Sequence, residues 1–299
     1  MPSRIAAATQ SLAGLLFAGR LPKDEAAMRK AVEQGRRRTN GDPPASLYRQ
    51  CAVEVRQVGE HKVFTVGPQG GGPVRGQVFY LPGGGYVNPP AGLHWMFVAK
   101  LVKTLNVVCT VLVYPLAPEH FCDEGIAFAA TAYRRLESEQ GSKKLLVMGD
   151  SAGGGLALAM LQQTRATPAG LVLDAPWLDA AACDPSQVEL ERHDWLLNRF
   201  SLRTWGRWWA GPDRDLRDPL VSPLFGDLSG LPPTLLLCGS ADILVADARR
   251  LAAAAPDKVR YIEEEGMMHV YPMVPFFPEA RRAWVEIERF ADQVLGKAG

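Results

Sequence analysis

Gly149-Asp150-Ser151-Ala152-Gly153 stands between an apolar run, Leu145 to Met148, and a helix-forming run, Leu156 to Gln163. Small residues on both sides of a serine at a strand-to-helix junction permit the tight turn that lifts the hydroxyl clear of the backbone. A bare G-x-S-x-G can be no more than a glycine-rich turn. With a strand before it and a helix after it, the pattern assigns Ser151 as a nucleophile. A serine hydroxyl is a weak nucleophile near neutral pH and needs a base within hydrogen-bond reach, itself oriented by a carboxylate. On folds that carry such an elbow the chain order is serine, acid, histidine. Of the five histidines, His61, His94, His120, His193 and His269, only the last two follow Ser151. His193 lies in a tryptophan-rich stretch, whereas His269 closes Gly266-Met267-Met268-His269 just after the last strand-like run. A lone histidine is more often a surface or core residue, but this placement makes His269 the expected base. Asp242, shortly after the run Thr234 to Cys238, is the expected acid; it is equally suited to cap a helix beginning near Ile243. Asp174, at the end of an earlier strand, and Asp247 compete with it.

Acyl transfer through a serine also needs N–H donors aimed at the oxyanion of the tetrahedral intermediate. Pro82-Gly83-Gly84-Gly85 follows the strand-like run Gln77 to Leu81, and glycines let a backbone approach a substrate closely. Such a run can be a plain turn. Beside the serine elbow it is expected to form half of an oxyanion hole, with the Ala152 N–H as the other half.

The elements that position these residues alternate. Val53 to Val58, Val63 to Val66 and Gln77 to Leu81 read as opening antiparallel strands separated by glycine turns. Val107 to Tyr114, Leu145 to Met148, Leu171 to Leu173, Thr234 to Cys238 and Val259 to Ile262 then alternate with helix-length segments, which implies a mainly parallel sheet covered on both faces. Residues 178–230 break that rhythm with Trp195, Trp205, Trp208 and Trp209 and the breaks Gly211-Pro212 and Asp218-Pro219, and read as an inserted cap. Trp205, Trp208 and Trp209 share one helix face, more often packing than pocket. Residues 1–38 are helix-prone and end in Arg29, Lys30, Arg36, Arg37 and Arg38, read as a solvated face rather than a lipid-binding one.

Composition narrows the function class. The chain has 299 residues, 33 basic against 32 acidic, for a formal net charge of +1, so it carries no overall field for nucleic acid. Five scattered cysteines without C-x-x-C spacing, Cys51, Cys109, Cys122, Cys183 and Cys238, argue against a disulfide framework and a zinc cage, and fit a reducing cytoplasm. No apolar run is long enough to span a bilayer, and the N-terminal segment is a poor signal peptide. A small molecule is the expected partner; a homodimer stays open, and peripheral membrane contact through the basic cluster is the weaker reading of that cluster.

Taken together, the motifs resemble the hormone-sensitive-lipase-like branch of the α/β-hydrolases, marked by an HGGG loop, a Y-x-L-A-P-E segment and a G-D-S-A-G-G elbow. Here these are Pro82-Gly83-Gly84-Gly85, Tyr114-Pro115-Leu116-Ala117-Pro118-Glu119 and Gly149-Asp150-Ser151-Ala152-Gly153-Gly154, supported by Ser222-Pro223-Leu224, Gly230-Leu231-Pro232-Pro233 and Asp242-Ile243-Leu244. The resemblance runs from about residue 75 to the end. It implies an α/β-hydrolase fold with a mainly parallel sheet of about eight strands and a helical cap; a core of residues 46–177 and 231–299; and a cap built from residues 1–45 and 178–230. It implies Ser151 as nucleophile, Asp242 as acid, His269 as base, and Gly84, Gly85 and Ala152 as oxyanion donors, with no cofactor or metal. The expected activity is carboxylesterase action on short- to medium-chain esters. An amidase or lactonase on the same residues, or a silent ligand receptor, are the alternatives. One departure concerns the loop: the family's opening histidine is Pro82, which has neither imidazole nor N–H, so the loop needs another anchor. Glu119 is expected to accept hydrogen bonds from the amides of that loop.

Overall fold

Strand residues in the middle of the chain point alternately into two separate cores, the arrangement a sheet buried on both faces requires. A computed structural model describes residues 2–17 and 22–297. The eight strands are β1 (Cys51–Val58), β2 (His61–Pro68), β3 (Gly76–Leu81), β4 (Val107–Val113), β5 (Leu145–Asp150), β6 (Gly170–Asp174), β7 (Thr234–Gly239) and β8 (Val259–Glu264). They form one sheet in the order β1-β2-β4-β3-β5-β6-β7-β8. β1 and β2, and β2 and β4, pair antiparallel; every later pair is parallel. All eight lie where the apolar runs predict them; most ends extend by one or a few residues, while β4 stops one residue short, at Val113. The Gln77 to Leu81 run is not an antiparallel opening strand as expected: β3 lies inside the sheet, parallel to both β4 and β5, because α4 carries the chain back between β3 and β4.

The helices are α1 (Arg4–Phe17), α2 (Glu25–Arg38), α3 (Ala45–Tyr48), α4 (Gly92–Leu105), α5 (Cys122–Gln140), α6 (Ser151–Thr164), α7 (Gln187–Leu190), α8 (Arg199–Ala210), α9 (Val245–Ala254) and α10 (Pro278–Leu295). One core joins Phe79, Leu81, Val147, Leu173 and Leu236 to α5, α6, α9 and the β6–β7 connection. The other joins Val78, Tyr80, Leu146, Met148, Val172 and Leu237 to α4 and α10. The β6–β7 connection, which contains residues 178–230, carries α7 and α8 and no strand.

The described N-terminal residues fold as two helices. Asp24 caps α2 through its side chain, 2.8 Å from Ala27 N. Glu25 of α2 accepts the Trp208 indole N–H of α8 at 3.0 Å, and Arg29 lies over the same ring at 4.7 Å. α1 docks elsewhere: Ser3 donates to Glu279 at the start of α10, and Gln10 reaches the Gly266 carbonyl before His269.

Candidate functional site

In a parallel sheet the strand ends that face a ligand are the carboxyl ends. Here the serine follows β5, the aspartate follows β7 and the histidine follows β8, with the glycine loop after β3. Ser151 has φ +51, a left-handed conformation that a side-chain-bearing residue adopts only under constraint. The constraint is visible in its neighbours. A β-carbon on Gly153 would sit 1.9 Å from the Leu81 carbonyl oxygen, and one on Gly149 2.4 Å from the Gly153 carbonyl oxygen, so both flanking positions require glycine. The same closeness sets the glycine loop beside the serine: a β-carbon on Gly83 would lie 3.0 Å from Ser151 Cβ.

Asp242 and His269 meet. His269 Nδ1 is 2.7 Å from Asp242 Oδ2, with the carboxylate fully buried and the histidine 7% exposed. Asp242 Oδ1 accepts the Leu244 N–H at 2.8 Å, so the residue organises the turn before α9 as well as holding the histidine. The helix therefore begins at Val245, not near Ile243, because Asp242 to Leu244 form that turn. The two loops are tied together by Ala241 N–H to the Met267 carbonyl, 3.0 Å, and by Gly266 N–H to Ser240 Oγ, 2.7 Å. Burial works against a charged His269, but the charge and hydrogen bond of Asp242, joined by Asp194, outweigh it and raise the pKa to about 9. Asp174 is pushed well above the usual carboxylate range by burial and by Asp150. Of the two aspartates that compete with Asp242, neither meets His269 in a hydrogen bond: the Asp174 carboxyl has no hydrogen-bond partner among the described residues, and Asp247 accepts the Leu178 and Asp179 amides at 2.9 Å each. His193 is exposed and faces Glu189 at 3.7 Å.

The glycine loop is held without a histidine at position 82. Asp150 Oδ1 accepts the Gly83 N–H at 3.0 Å and the Tyr80 hydroxyl at 2.5 Å, and the Tyr114 hydroxyl donates to the Pro82 carbonyl at 2.9 Å. His94, whose Nδ1 accepts the Ala91 N–H at 3.0 Å and so leaves the proton on Nε2, directs Nε2 at Asp150 Oδ2 from 3.5 Å. Engagement of Gly83 leaves Gly84 and Gly85, at φ +135 and +64, as the loop glycines whose amides can face a ligand. Ala152 lies in the first turn of α6, where no carbonyl four residues back is available to its N–H.

Aromatic side chains of α8 lie against this loop. A β-carbon on Gly85 would meet the Trp205 ring at 2.8 Å, and Trp209 stacks on Tyr86 with ring centroids 4.2 Å apart. Trp208 and Trp209 are buried packing residues, as their shared face suggests, while the half-buried Trp205 lies against the loop.

Glu119 does not accept from the loop amides. It pairs with Arg36 at 2.8 Å, and the same guanidinium donates to the carbonyls of Val87, at 2.7 Å, and Ala117. A carboxylate on an exposed turn is within reach of a long, flexible cation such as Arg36. Arg36 thus leaves the solvated cluster it belongs to in the sequence and ties α2 to the segment that follows the glycines. All five cysteines are free thiols. Among the described residues no cluster could hold a metal ion, and no helix is long and apolar enough to cross a membrane.

A family model described as the alpha/beta hydrolase fold matches residues 78–273. An esterase of Acinetobacter venetianus is 35% identical over 224 residues, 72% of this chain and 74% of that protein. An acetyl-hydrolase of Streptomyces hygroscopicus is 37% identical over 217 residues, 69% of this chain and 72% of the relative. Among solved structures, a hormone-sensitive-lipase homologue from a metagenome library superposes with a TM-score of 0.83 at 25% identity, covering 99% of this chain and 100% of the other.

Proposed function

The chain belongs to the alpha/beta-hydrolase family, in its hormone-sensitive-lipase-like branch, and from that premise we propose that it is a serine carboxylesterase. The observation that carries this reading is the 2.7 Å bond between Asp242 and His269 on the sheet edge where Ser151 stands in its left-handed turn. Asp242 fixes the imidazole with its proton on Nδ1, which leaves Nε2 to take the proton of the Ser151 hydroxyl as that oxygen attacks an ester carbonyl. The carbonyl oxygen becomes an oxyanion and takes hydrogen bonds from the Gly84, Gly85 and Ala152 amides. A positive φ at both glycines and a loop anchored by Asp150 support those roles, since donors fixed in advance do not need to reorganise as charge develops. Collapse expels the alkoxide, which takes the proton from His269 and leaves as the alcohol, with the acyl group on Ser151. His269 then draws a proton from water, hydroxide adds to the acyl carbon, and the acid departs as Ser151 recovers its proton.

The substrates are esters of short to medium acyl chains. Relatives that are an esterase and an acetyl-hydrolase support small acyl groups, and so does an insertion whose tryptophans lie against the oxyanion loop. Residues 1–45 and 178–230 act together as the cap, an assignment supported by the Glu25–Trp208 and Arg36–Val87 contacts that join α2 to the insertion and the loop. Free thiols suit a cytoplasmic location. Purified protein should hydrolyse p-nitrophenyl acetate and butyrate, faster than long-chain esters, and Ser151→Ala should abolish the reaction. Full activity in Ser151→Ala would overturn the mechanism.

A further inference from the structure

Asp194 belongs to the insertion, yet it reaches the loop that carries the proposed catalytic acid. Its Oδ1 accepts the Leu196 and Leu197 amides at 2.8 and 2.9 Å, which closes a turn ahead of α8. Its Oδ2 accepts the amide of Ile243, the residue after Asp242, at 2.9 Å across 49 positions of sequence. We propose that Asp194 is a positioning residue for the triad: its carboxylate joins the insertion to the backbone that presents Asp242 and places a second negative charge beside His269. This rests on the esterase reading above.

Three amide donors stabilise the charged form of Asp194. Burial and the neighbouring Asp242 oppose them and move its pKa up to about 6, so it is ionised at neutral pH and above and becomes neutral in acid. The groups facing the pair are Asp242 and Cys238 from the end of β7, Asp174 from the end of β6 and, beyond it, Asp150 from β5. Burial with the nearby Asp242 pushes the Cys238 thiol well above its ordinary range, so it stays uncharged, and burial with Asp150 pushes the Asp174 carboxyl up. Asp242 first and Asp194 second, ahead of Asp174, favour the imidazolium formed when His269 takes the serine proton. Asp242 does so by direct contact. Asp194 does so across the Ile243 amide it holds, from a segment that no catalytic residue shares.

The test is the pH dependence of kcat/KM for p-nitrophenyl acetate in wild type, Asp194→Asn, Asp194→Ser and Asp194→Glu, with Ser151→Ala alongside. The first two variants keep a hydrogen-bond acceptor and lose the charge. Each should move the acidic limb of the profile down by roughly one pH unit, lower kcat several-fold and leave KM within about twofold. Asp194→Glu, which restores a carboxylate, should return the limb towards wild type. The use of two neutral variants covers the case in which one fails to fold, and a limb unchanged in a folded neutral variant would overturn the proposal. If Ser151→Ala is inactive while the limb does not move, only the role of Asp194 fails. If Ser151→Ala is active, the esterase mechanism fails first.

Discussion

Replacing Asp242 with asparagine exchanges one oxygen for an NH2 group in a fully buried position with two separate hydrogen-bond tasks. Oδ1 receives the Leu244 N–H at 2.8 Å, and Oδ2 receives His269 Nδ1 at 2.7 Å. The amide oxygen of asparagine can serve only one of them. If it stays with Leu244, the NH2 group faces Nδ1, which must then accept; the imidazole proton moves to Nε2, and the base that should receive the serine proton already carries one. If the amide flips to keep the histidine tautomer, two donors oppose each other at Leu244, at a cost of about 1–3 kcal/mol for a buried unsatisfied group. Either way the negative charge that supports the imidazolium is gone. The wrong tautomer and the lost charge together place the expected fall in kcat at about 10^3- to 10^4-fold, or roughly 4–5 kcal/mol of transition-state stabilisation. The assay is steady-state hydrolysis of p-nitrophenyl acetate near pH 8, with a thermal melt to show that the isosteric variant is folded. A folded Asp242→Asn enzyme within tenfold of wild type in kcat would refute the assignment of the acid, and attention would pass to Asp174, another buried carboxyl at the carboxyl ends of the strands.

Other outcomes follow from the same geometry. Because the folded pKa of His269 lies above its ordinary value, at about 9, the free base is depleted as pH falls, so kcat/KM should rise with pH through a limb above 6.5; a limb below 6 would contradict the electrostatic account. The same shift has a stability sign: the charged histidine stabilises the fold fully below its unfolded pKa, and that contribution is lost as pH rises through about 9, which melting curves of wild type against His269→Gln would display as a gap narrowing with pH. Gly85→Ala adds a β-carbon 2.8 Å from the Trp205 ring at a residue with φ +64, so activity should fall at least tenfold; Trp205→Ala should relieve the steric part while leaving the backbone strain of about 1–2 kcal/mol, and full recovery in the double variant would show that φ does not matter. Arg36→Ala removes a cation with two carbonyl partners and one carboxylate partner, and should lower stability by about 2 kcal/mol and kcat several-fold; an unchanged kcat would show that α2 does not support the loop.

What was legible in the sequence is what local pattern encodes. The central strands are readable because each apolar run is short, bounded by glycine or polar turns and buried on both faces, as in Leu145 to Asp150, while the edge strands β1 and β8 are only partly buried. The places of Ser151, Asp242 and His269 after β5, β7 and β8 are readable because residue type, chain order and position after strands are local features of the sequence. The remaining site residues act through contacts between segments far apart in the chain. Asp194 meets Ile243, and Arg36 meets Ala117, 81 residues on. Periodicity reports which face of one element is apolar but not which partner a polar side chain finds, so Arg36 read as one more solvated cation and Asp194 had no signal at all. Glu119 shows the same limit from the other side: its loop was correctly placed near the glycines, but its partner came from the N-terminal helix. Asp150 stood inside the elbow motif, where its value as the anchor for Gly83 could have been suspected once Pro82 removed the usual histidine.

The central claim is that an acyl group passes through the Ser151 hydroxyl. Acid quenching of the enzyme during turnover of p-nitrophenyl acetate, followed by intact-mass and peptide mass spectrometry, tests it directly. The account predicts one added acetyl group, on the peptide that contains Ser151, absent from Ser151→Ala and accumulating in His269→Gln only if acylation survives loss of the base. Acetylation of a different residue at the rate of turnover, or undiminished turnover by Ser151→Ala without any acyl adduct, would contradict it.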